Sequence, residues 1–503
     1  MGRKTLWWLV IILIIAGFLR FYHLDIAPPG LYPDEAMDGN NALSALHTGD
    51  FKVFYPPNNG VEGLYANIEA MTLSIAGVQE PWTLRFPAAV FGFLTVLGVF
   101  FLARELFKKD SIALLSAFFL ATSFWHINFS RIGFRAIMAP FFIVWALYFF
   151  LKSIEAQRAR SWVWYSALGG LAFGLGFHSY ISYRILPLLF LLFIPFFFRQ
   201  KNFWRATAVF VLAAFIAILP LGLYFLENPA DFLGRTSQVS VFSSENPTQV
   251  LALNTAKTVG MLNFLGDGNW RHNLAGRPQL FWPVGIVFWV GALFGFVAIL
   301  RRNHPGADHA ARSRARFTYL LLFGWIALAA LPVVFSNEGI PHALRAILMI
   351  PPLMILAGAG AAWLYEWTLH RIHKHRRVLF VGALVILSLL AFEGAYTYFV
   401  AWARNPNTAG AFNAEYVEIG RQVRVLPDDV PKQVFVNAGG VGVPLADPWS
   451  AEPRTHDVPV PAQSVMFLTD SYLPEQQKQK NIHYILPDEE YEQLPNAAVF
   501  HIN

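Results

Sequence analysis

Residues 80–107 read "EPWTLRFPAAVFGFLTVLGVFFLARELF", and the stretch near 84–104 decides how the rest of the chain is read. It is an apolar run of the length needed to cross a hydrocarbon layer, roughly 17–25 residues. It leads directly into a basic segment, "RELFKKD". The same pattern recurs along the sequence. Further apolar runs lie near 5–22, 111–127, 136–152, 162–178, 185–199, 205–226, 282–300, 317–335, 345–366 and 378–400. The expected fold class is therefore mainly α, a polytopic transmembrane helix bundle of about eleven helices.

Composition agrees with that reading. Of 503 residues, 55% are hydrophobic and 14% charged, whereas soluble domains run nearer a quarter charged. The 47 Phe, 17 Tyr and 16 Trp suit lipid-facing helices with aromatic belts at the interfaces. There is no cysteine, which excludes disulfides, thiolate metal sites and cysteine nucleophiles. The formal charge of +6 is not a nucleic-acid footprint, because the basic residues follow topology. The N-terminal "MGRKTLWWLVIILIIAGFLRFYHLD" has the basic start and apolar run of a signal peptide but no small-residue cleavage site at the usual place. It is read as a retained first helix.

Lys and Arg give the orientation. With the N-terminus cytoplasmic, the inner loops are "MGRK", "RELFKKD", "KSIEAQRAR", "RQKNFWR", "RRNHPGADHAARSRAR" and "HRIHKHRR", with roughly 20 basic residues in about 50 positions. The outer loops hold about 11 in nearly three times that length, the positive-inside signature. The outer side then owns two long loops, near 23–83 and 227–281, and a tail. Residues 1–400 form the membrane domain, and 401–503 a small extracytoplasmic α/β domain. Within the tail, "FNAEYVEIGRQVRVLP" has helical spacing, while "QVFVNAGG", "SVMFLTD" and "IHYILP" read as short buried strands. The glycines of "VFVNAGGVGVPL" lack phosphate-loop spacing and read as a turn.

The chemistry gathers on the outer side. "GLYPDEAMDGNNALSALHTGD", residues 30–50, carries Asp34, Glu35 and Asp38 behind a proline at the mouth of the first span. Asp34 is placed to cap the helix that ends near Gly49, with Glu35 favourable beside its positive end. A carboxylate held there, just above the hydrocarbon boundary, also suits a general base toward a hydroxyl or amine. Asp34 and Asp38, four apart, share a helix face on which a divalent cation is the alternative occupant. No sequence feature demands a cofactor.

Four arginines stand at outer helix ends: Arg131 and Arg135 in "SRIGFRA", Arg184 in "FHSYISYRILP" and Arg345 in "NEGIPHALRAI". One such residue would snorkel to lipid headgroups. Four of them, on the side where positive charge is otherwise depleted, point to an anion, and guanidinium is suited to phosphate. His178, Tyr180 and His342 lie beside them as further hydrogen-bonding groups. Glu62, in "FYPPNNGVEGLYANIEAM", reads first as a solvated loop residue, with a place facing the site as the alternative, and the 227–281 loop contributes no single residue.

Taken together, "YPDEA", "EPWTLRFPAAVFGFLTVLGVFFLARELF", "SRIGFRAIMAPFFIVWALYFFLKS", "SYISYRILP" and "IPHALRAILMIPPL" resemble the glycosyltransferase-C superfamily. The resemblance is to the family that joins protein O-mannosyltransferases with the bacterial lipid A aminoarabinose transferases, over most of the first 400 residues. It implies a polyprenyl-phosphate sugar as donor, with a lipid, glycan or protein as acceptor, and no nucleic acid. It further implies Asp34 as general base with Glu35 assisting, and inversion at the anomeric centre. Arg131, Arg135, Arg184 and Arg345, with His342 and Tyr180, would meet the leaving phosphate. A bacterial plasma membrane is the implied setting. The rival is a multi-span transporter or lipid flippase. Against it, the spans are nearly free of charge, apart from Glu366 and Glu393, for which the sequence offers no obvious partner.

Overall fold

The computed structural model describes residues 1–503 except 58–59, 157–159, 233–240, 242–245, 302–308, 338, 451–453, 488, 490 and 492. Part of the second long loop, and Glu338 of "NEGIPHALRAI", thus lie outside the described residues. Among the described residues, eight helical segments are long and apolar enough to cross a membrane. They include α1 (Arg3–Phe21), α4 (Pro81–Phe107), α7 (Met138–Glu155, entered through a 3₁₀ turn), α9 (Phe203–Glu227) and, beyond the shorter α10 (Pro247–Gly260), α11 (Trp282–Leu300). The others are α12 (His309–Val334), α13 (Ile350–Arg371) and α14 (Arg376–Tyr396).

The remaining three expected spans are helical but shorter. α5 (Asp110–Thr122) stops where Ser123 adopts an extended conformation, and α6 (Phe124–Phe129) follows at once. α8 (Ser161–Leu175) tightens into a 3₁₀ turn at Gly176–His178. Residues 181–197 alternate 3₁₀ and short α turns, and Pro187 and Pro195 each stand at the start of a short α turn, where a missing N–H is no loss.

The bundle has a centre and a rim. Along α13 and its leading turn 83% of the apolar window is buried, against 11% along α14 and its extension. The backbones of α11 and α13 meet at glycines: a Cβ on Gly291 would strike the Leu356 carbonyl, and one on Gly360 the Val287 carbonyl. Small residues of this kind let membrane helices approach closely. At one end of the bundle the basic loops meet. Lys108 bonds Glu155 at 2.9 Å, Arg314 donates to the same carboxylate, and Lys109 reaches Glu366 at 3.1 Å. Glu366 therefore has a partner, and so has Glu393, which accepts from Arg277 and from Thr397 Oγ1 (2.7 Å).

The segment after α1 builds the other end. α2 (Pro33–Thr48) is followed by a two-stranded ribbon, β1 (Phe54–Tyr55) and β2 (Val61–Glu62), and by α3 (Leu64–Ala76). The ribbon pairs antiparallel, with Phe54 opposite Glu62.

Beyond residue 413 the material changes. α15 (Ala414–Val425) leads into a parallel three-stranded sheet in the order β6–β3–β7, with β3 Lys432–Val436, β6 Ile482–Ile485 and β7 Ala498–Ile502. Val434 lies opposite Tyr484 and Phe500. A separate antiparallel pair joins β4 (Gly442–Ala446) to β5 (Thr455–Pro459). "SVMFLTD", read as a strand, is the helix α16 (Gln463–Thr469). All seven of its residues are buried, and a short apolar run buried on every side carries no period that separates strand from helix. α16 packs on α2, so that Met37 enters the core of the sheet while Ala36 and Leu43 join Phe467, Leu468 and Leu84.

Candidate active site

Pro33 opens α2 at its first helical position, where the missing N–H is no loss. The residue before it, Tyr32, is the N-cap, and its N–H is accepted by Glu35 Oε1 at 3.2 Å. Asp34 is therefore inside the first turn rather than its cap, where its charge still favours the helix end. Glu35 is fully buried and its oxygens are engaged. Arg85 reaches it through Nε at 3.0 Å and Nη2 at 3.3 Å, and the Gly133 amide donates to it at 2.7 Å. The Arg85 guanidinium also holds the carbonyls of Pro28 (2.8 Å) and Gly30 (2.7 Å). This fork ties the loop before α2 to α4. Asp34, one residue earlier, faces outward and is exposed.

Beside Asp34 stands an aromatic–cation pair. The Arg271 guanidinium lies over the Tyr32 ring, 4.2 Å from its centroid. Burial, followed by the nearby Asp34 charge, pushes the Tyr32 phenol up to about 12.

A second group forms around Glu62. It is 4% exposed, not the solvated loop residue expected, because the ribbon carries it inward. Its Oε2 accepts from Arg135 Nε at 3.1 Å, and its Oε1 faces Arg184 Nη2 at 3.6 Å. Arg184 is also packed over Phe232 and Phe225, at 4.5 and 5.2 Å, and donates to the Phe232 carbonyl at 3.2 Å. Asp38 and Tyr180 lie within electrostatic reach of Arg135. His178 is held by its Nε2 to the Ala217 carbonyl at 2.9 Å, and feels the Glu62 charge. The structure thus brings Arg135, Arg184, Tyr180 and Asp38 together, as four of the expected residues.

Arg131 is positioned differently. It is fully buried, and it donates to the carbonyls of Leu19, Tyr22, His23 and Ala27 at 2.7–3.2 Å. Tyr398 and Phe399 lie 5.0 and 4.9 Å from its guanidinium. It closes the C-terminal end of α1.

His342 and Arg345 join a third group with residues the sequence reading did not name. The Arg345 amide approaches His342 Nδ1 at 3.3 Å, and its guanidinium donates to Ser336 Oγ. The His342 ring lies 4.7 Å from that of His272. His272 Nδ1 is 3.1 Å from Asp267 Oδ2, which also accepts the Ala343 amide at 2.8 Å. Ligand atoms of Asp267, His272 and His342 all lie within 4.8 Å of one another. Burial, then the neighbouring His272 and Arg345 charges, holds His342 down to about 3. Burial also lowers His272. Two neutral imidazoles and one carboxylate are a donor set suited to a divalent cation such as zinc. Asp34 and Asp38 were the cation candidates from spacing alone. Arg271, Asp267, His272 and Glu62 escape a reading by motif, since no fixed spacing marks them, whereas Arg85 lies in the "LRFPA" run of the 80–107 stretch without being singled out there. The one local signal is the "WRH" run beside the Asp267 turn.

The dolichyl-phosphate-mannose-protein mannosyltransferase family matches residues 64–224. No curated protein matches by sequence. Among solved structures, ArnT from Cupriavidus metallidurans bound to undecaprenyl phosphate is similar at a TM-score of 0.56 and 14% identity, covering 95% of this chain and 89% of that one. Its apo state gives 0.58 and 15%, covering 93% and 86%. The oligosaccharyltransferase AglB from Archaeoglobus fulgidus, in complex with an inhibitory peptide and a dolichol-phosphate, gives 0.56 and 14%. That match covers 94% of this chain and 64% of AglB. The family match within the bundle and the fold shared along the chain support one conclusion: this is a multi-pass membrane protein with the glycosyltransferase-C fold.

Proposed function

We propose that the chain transfers a sugar from a polyprenyl-phosphate donor to a lipid, glycan or protein acceptor. The reaction takes place on the extracytoplasmic face of a plasma membrane, with the N-terminus cytoplasmic and the tail domain outside. The observation that carries the reading is the pair of guanidiniums that converge on the buried Glu62 within electrostatic reach of Asp38 on α2, the helix whose first turn carries the exposed Asp34. A lipid-borne phosphate needs cations at the membrane boundary, and an acceptor needs a base that it can reach. The undecaprenyl phosphate and dolichol-phosphate bound to the similar structures support the same donor class.

In this mechanism Asp34 takes the proton of the acceptor hydroxyl or amine. The acceptor atom bonds to the anomeric carbon from the face opposite the phosphate, while the carbon–oxygen bond to the phosphate breaks, so the centre inverts. Arg135 and Arg184 meet the charge growing on the departing polyprenyl phosphate, with Tyr180 beside them. Preorganised donors of this kind are each worth about 3–4 kcal/mol in the transition state. Glu35 assists by fixing the helix start through Arg85, not by moving a proton. Arg131 supports the frame from the end of α1, and Arg345 and His342 serve the neighbouring histidine group. Asp267, His272 and His342 would hold a divalent cation, which when bound supplies Lewis-acid charge beside Arg271.

The test is release of free polyprenyl phosphate in proteoliposomes from a panel of polyprenyl-phosphate sugars. Acceptor-dependent release by wild type and none by a folded Asp34→Asn variant is expected. No release with any donor would sink the transferase reading.

A further inference from the structure

Glu69 on α3 is a carboxyl that the transfer reaction does not use. It is fully buried, and among the described residues neither of its oxygens has a hydrogen-bond partner. α3 packs between α2 and α4. From α2, Asp38 and Glu35 face Glu69, both acidic. One turn back on α3, the Tyr65 hydroxyl donates to the Leu84 carbonyl, not to Glu69. The titratable cation of the α4 start, Arg85, is spent on Glu35, Pro28 and Gly30.

An ionised carboxylate with no donor and no cation costs far more than its neutral form in such a setting. We propose that Glu69 is held as a neutral carboxylic acid behind Asp38 and that this neutrality sets the charge balance of the donor-phosphate pocket. The functional half of the proposal rests on the glycosyl-transfer reading, and the neutrality does not. Burial above all, then the Asp38 and Glu35 charges, pushes the Glu69 carboxyl well above its usual range.

The charge count gives this a consequence. Arg135 and Arg184 face Glu62, and Asp38 acts on Arg135, so two positive charges stand against two negative ones. A third negative charge beside Asp38 would tip the pocket toward repelling a phosphate. Glu69 touches no substrate in this scheme. It is a positioning residue that acts through Asp38 and the arginines.

Stability carries a matching signature. An unfolded Glu ionises near 4.3–4.5, while the folded Glu69 keeps its proton, so the native state binds more protons above that pH. Folding therefore loses stability as pH rises from the unfolded value toward the folded one. Glu69→Gln, a neutral isostere, removes that loss and is expected to melt no lower than wild type at neutral pH.

Two measurements on the full chain in detergent test the proposal. Infrared spectroscopy at neutral pH is expected to show a protonated-carboxyl stretch in wild type that is missing in Glu69→Gln. Binding of undecaprenyl phosphate is expected to weaken in wild type as pH is raised through the range in which the wild-type protonated-carboxyl band is lost, by about tenfold for one added charge at several ångströms. In Glu69→Gln that extra weakening is absent. A protonated-carboxyl band that persists unchanged in the variant overturns the neutrality. Undecaprenyl phosphate affinities that follow the same pH course in both proteins overturn the charge-balance role. Neither readout requires turnover, so failure of sugar transfer with every donor would count against the transfer reading alone.

Discussion

Two neighbouring pairs of charged residues meet opposite fates. In "YPDEA", Glu35 is buried and bonded to Arg85 and Gly133, while Asp34 beside it is exposed. In "SRIGFRA", Arg131 is buried among the carbonyls that end α1, while Arg135 pairs with Glu62 at the site. In each pair one member builds the frame and the other is left for the proposed chemistry. Chemical type and sequence position therefore do not assign a role. The partners do. A guanidinium shared by four carbonyls is a structural clamp, whereas one held by a single carboxylate can exchange that partner for a phosphate.

The sharpest way to break this contrast is Arg131→Leu. Removing the clamp leaves buried carbonyls without donors, at about 1–3 kcal/mol each. Loss of monodisperse, folded protein in detergent is expected, and a well-folded Arg131→Leu protein would dissolve the distinction. Asp34→Asn comes next. Turnover should fall at least about 100-fold, the range for a lost general base, with the melting temperature unchanged. Glu35→Gln should instead lower stability, since it removes the charge that Arg85 is built around. Arg135→Ala should lower kcat about 100-fold, the loss of one preorganised donor to the departing phosphate, in protein that folds normally. A fold defect equal to that of Arg131→Leu would erase the difference between the two arginines.

Smaller effects sharpen the picture at its edges. Zinc added to the chelator-treated protein should raise the melting temperature by a few degrees through binding to the native state. The rise should vanish in His272→Ala. Arg424→Ala breaks an exposed bridge to Glu80, of 2.6 Å, between the tail domain and the start of α4. It should cost only about 0.2–1 kcal/mol, measured by denaturant titration.

What the sequence made legible follows from the range of each interaction. Spans such as α11 are legible because length and hydropathy are local properties, and the expected and observed bounds there coincide at 282–300. The broken helix across 181–197 is less legible, because the prolines that open its short α turns sit inside an otherwise apolar run. Asp34, Arg135 and Arg184 are visible as charges stranded at the ends of apolar runs. Glu62 is not, since its burial depends on a ribbon that folds against arginines 73 and 122 residues away in sequence. Asp267, His272 and His342 are hidden for the same reason: the cluster joins a loop to a turn from another part of the chain. α16 was misread because total burial erases the amphipathic period that distinguishes a helix from a strand.

The seat of α2 has a consequence for how the molecule is made. Asn40 Nδ2 donates to Gln463 Oε1 at 2.8 Å, and Ser464 Oγ donates to the Leu31 carbonyl at 2.9 Å, across sequence separations of 423 and 433 residues. The acidic helix is synthesised more than 400 residues ahead of the segment that covers its back, which closes only when residues near 463 have been made and folded onto it. Long-range closure of this kind comes late in folding. The acidic face is thus assembled after the bundle that surrounds it, and a nascent chain displays α2 long before the partner that holds it in register exists.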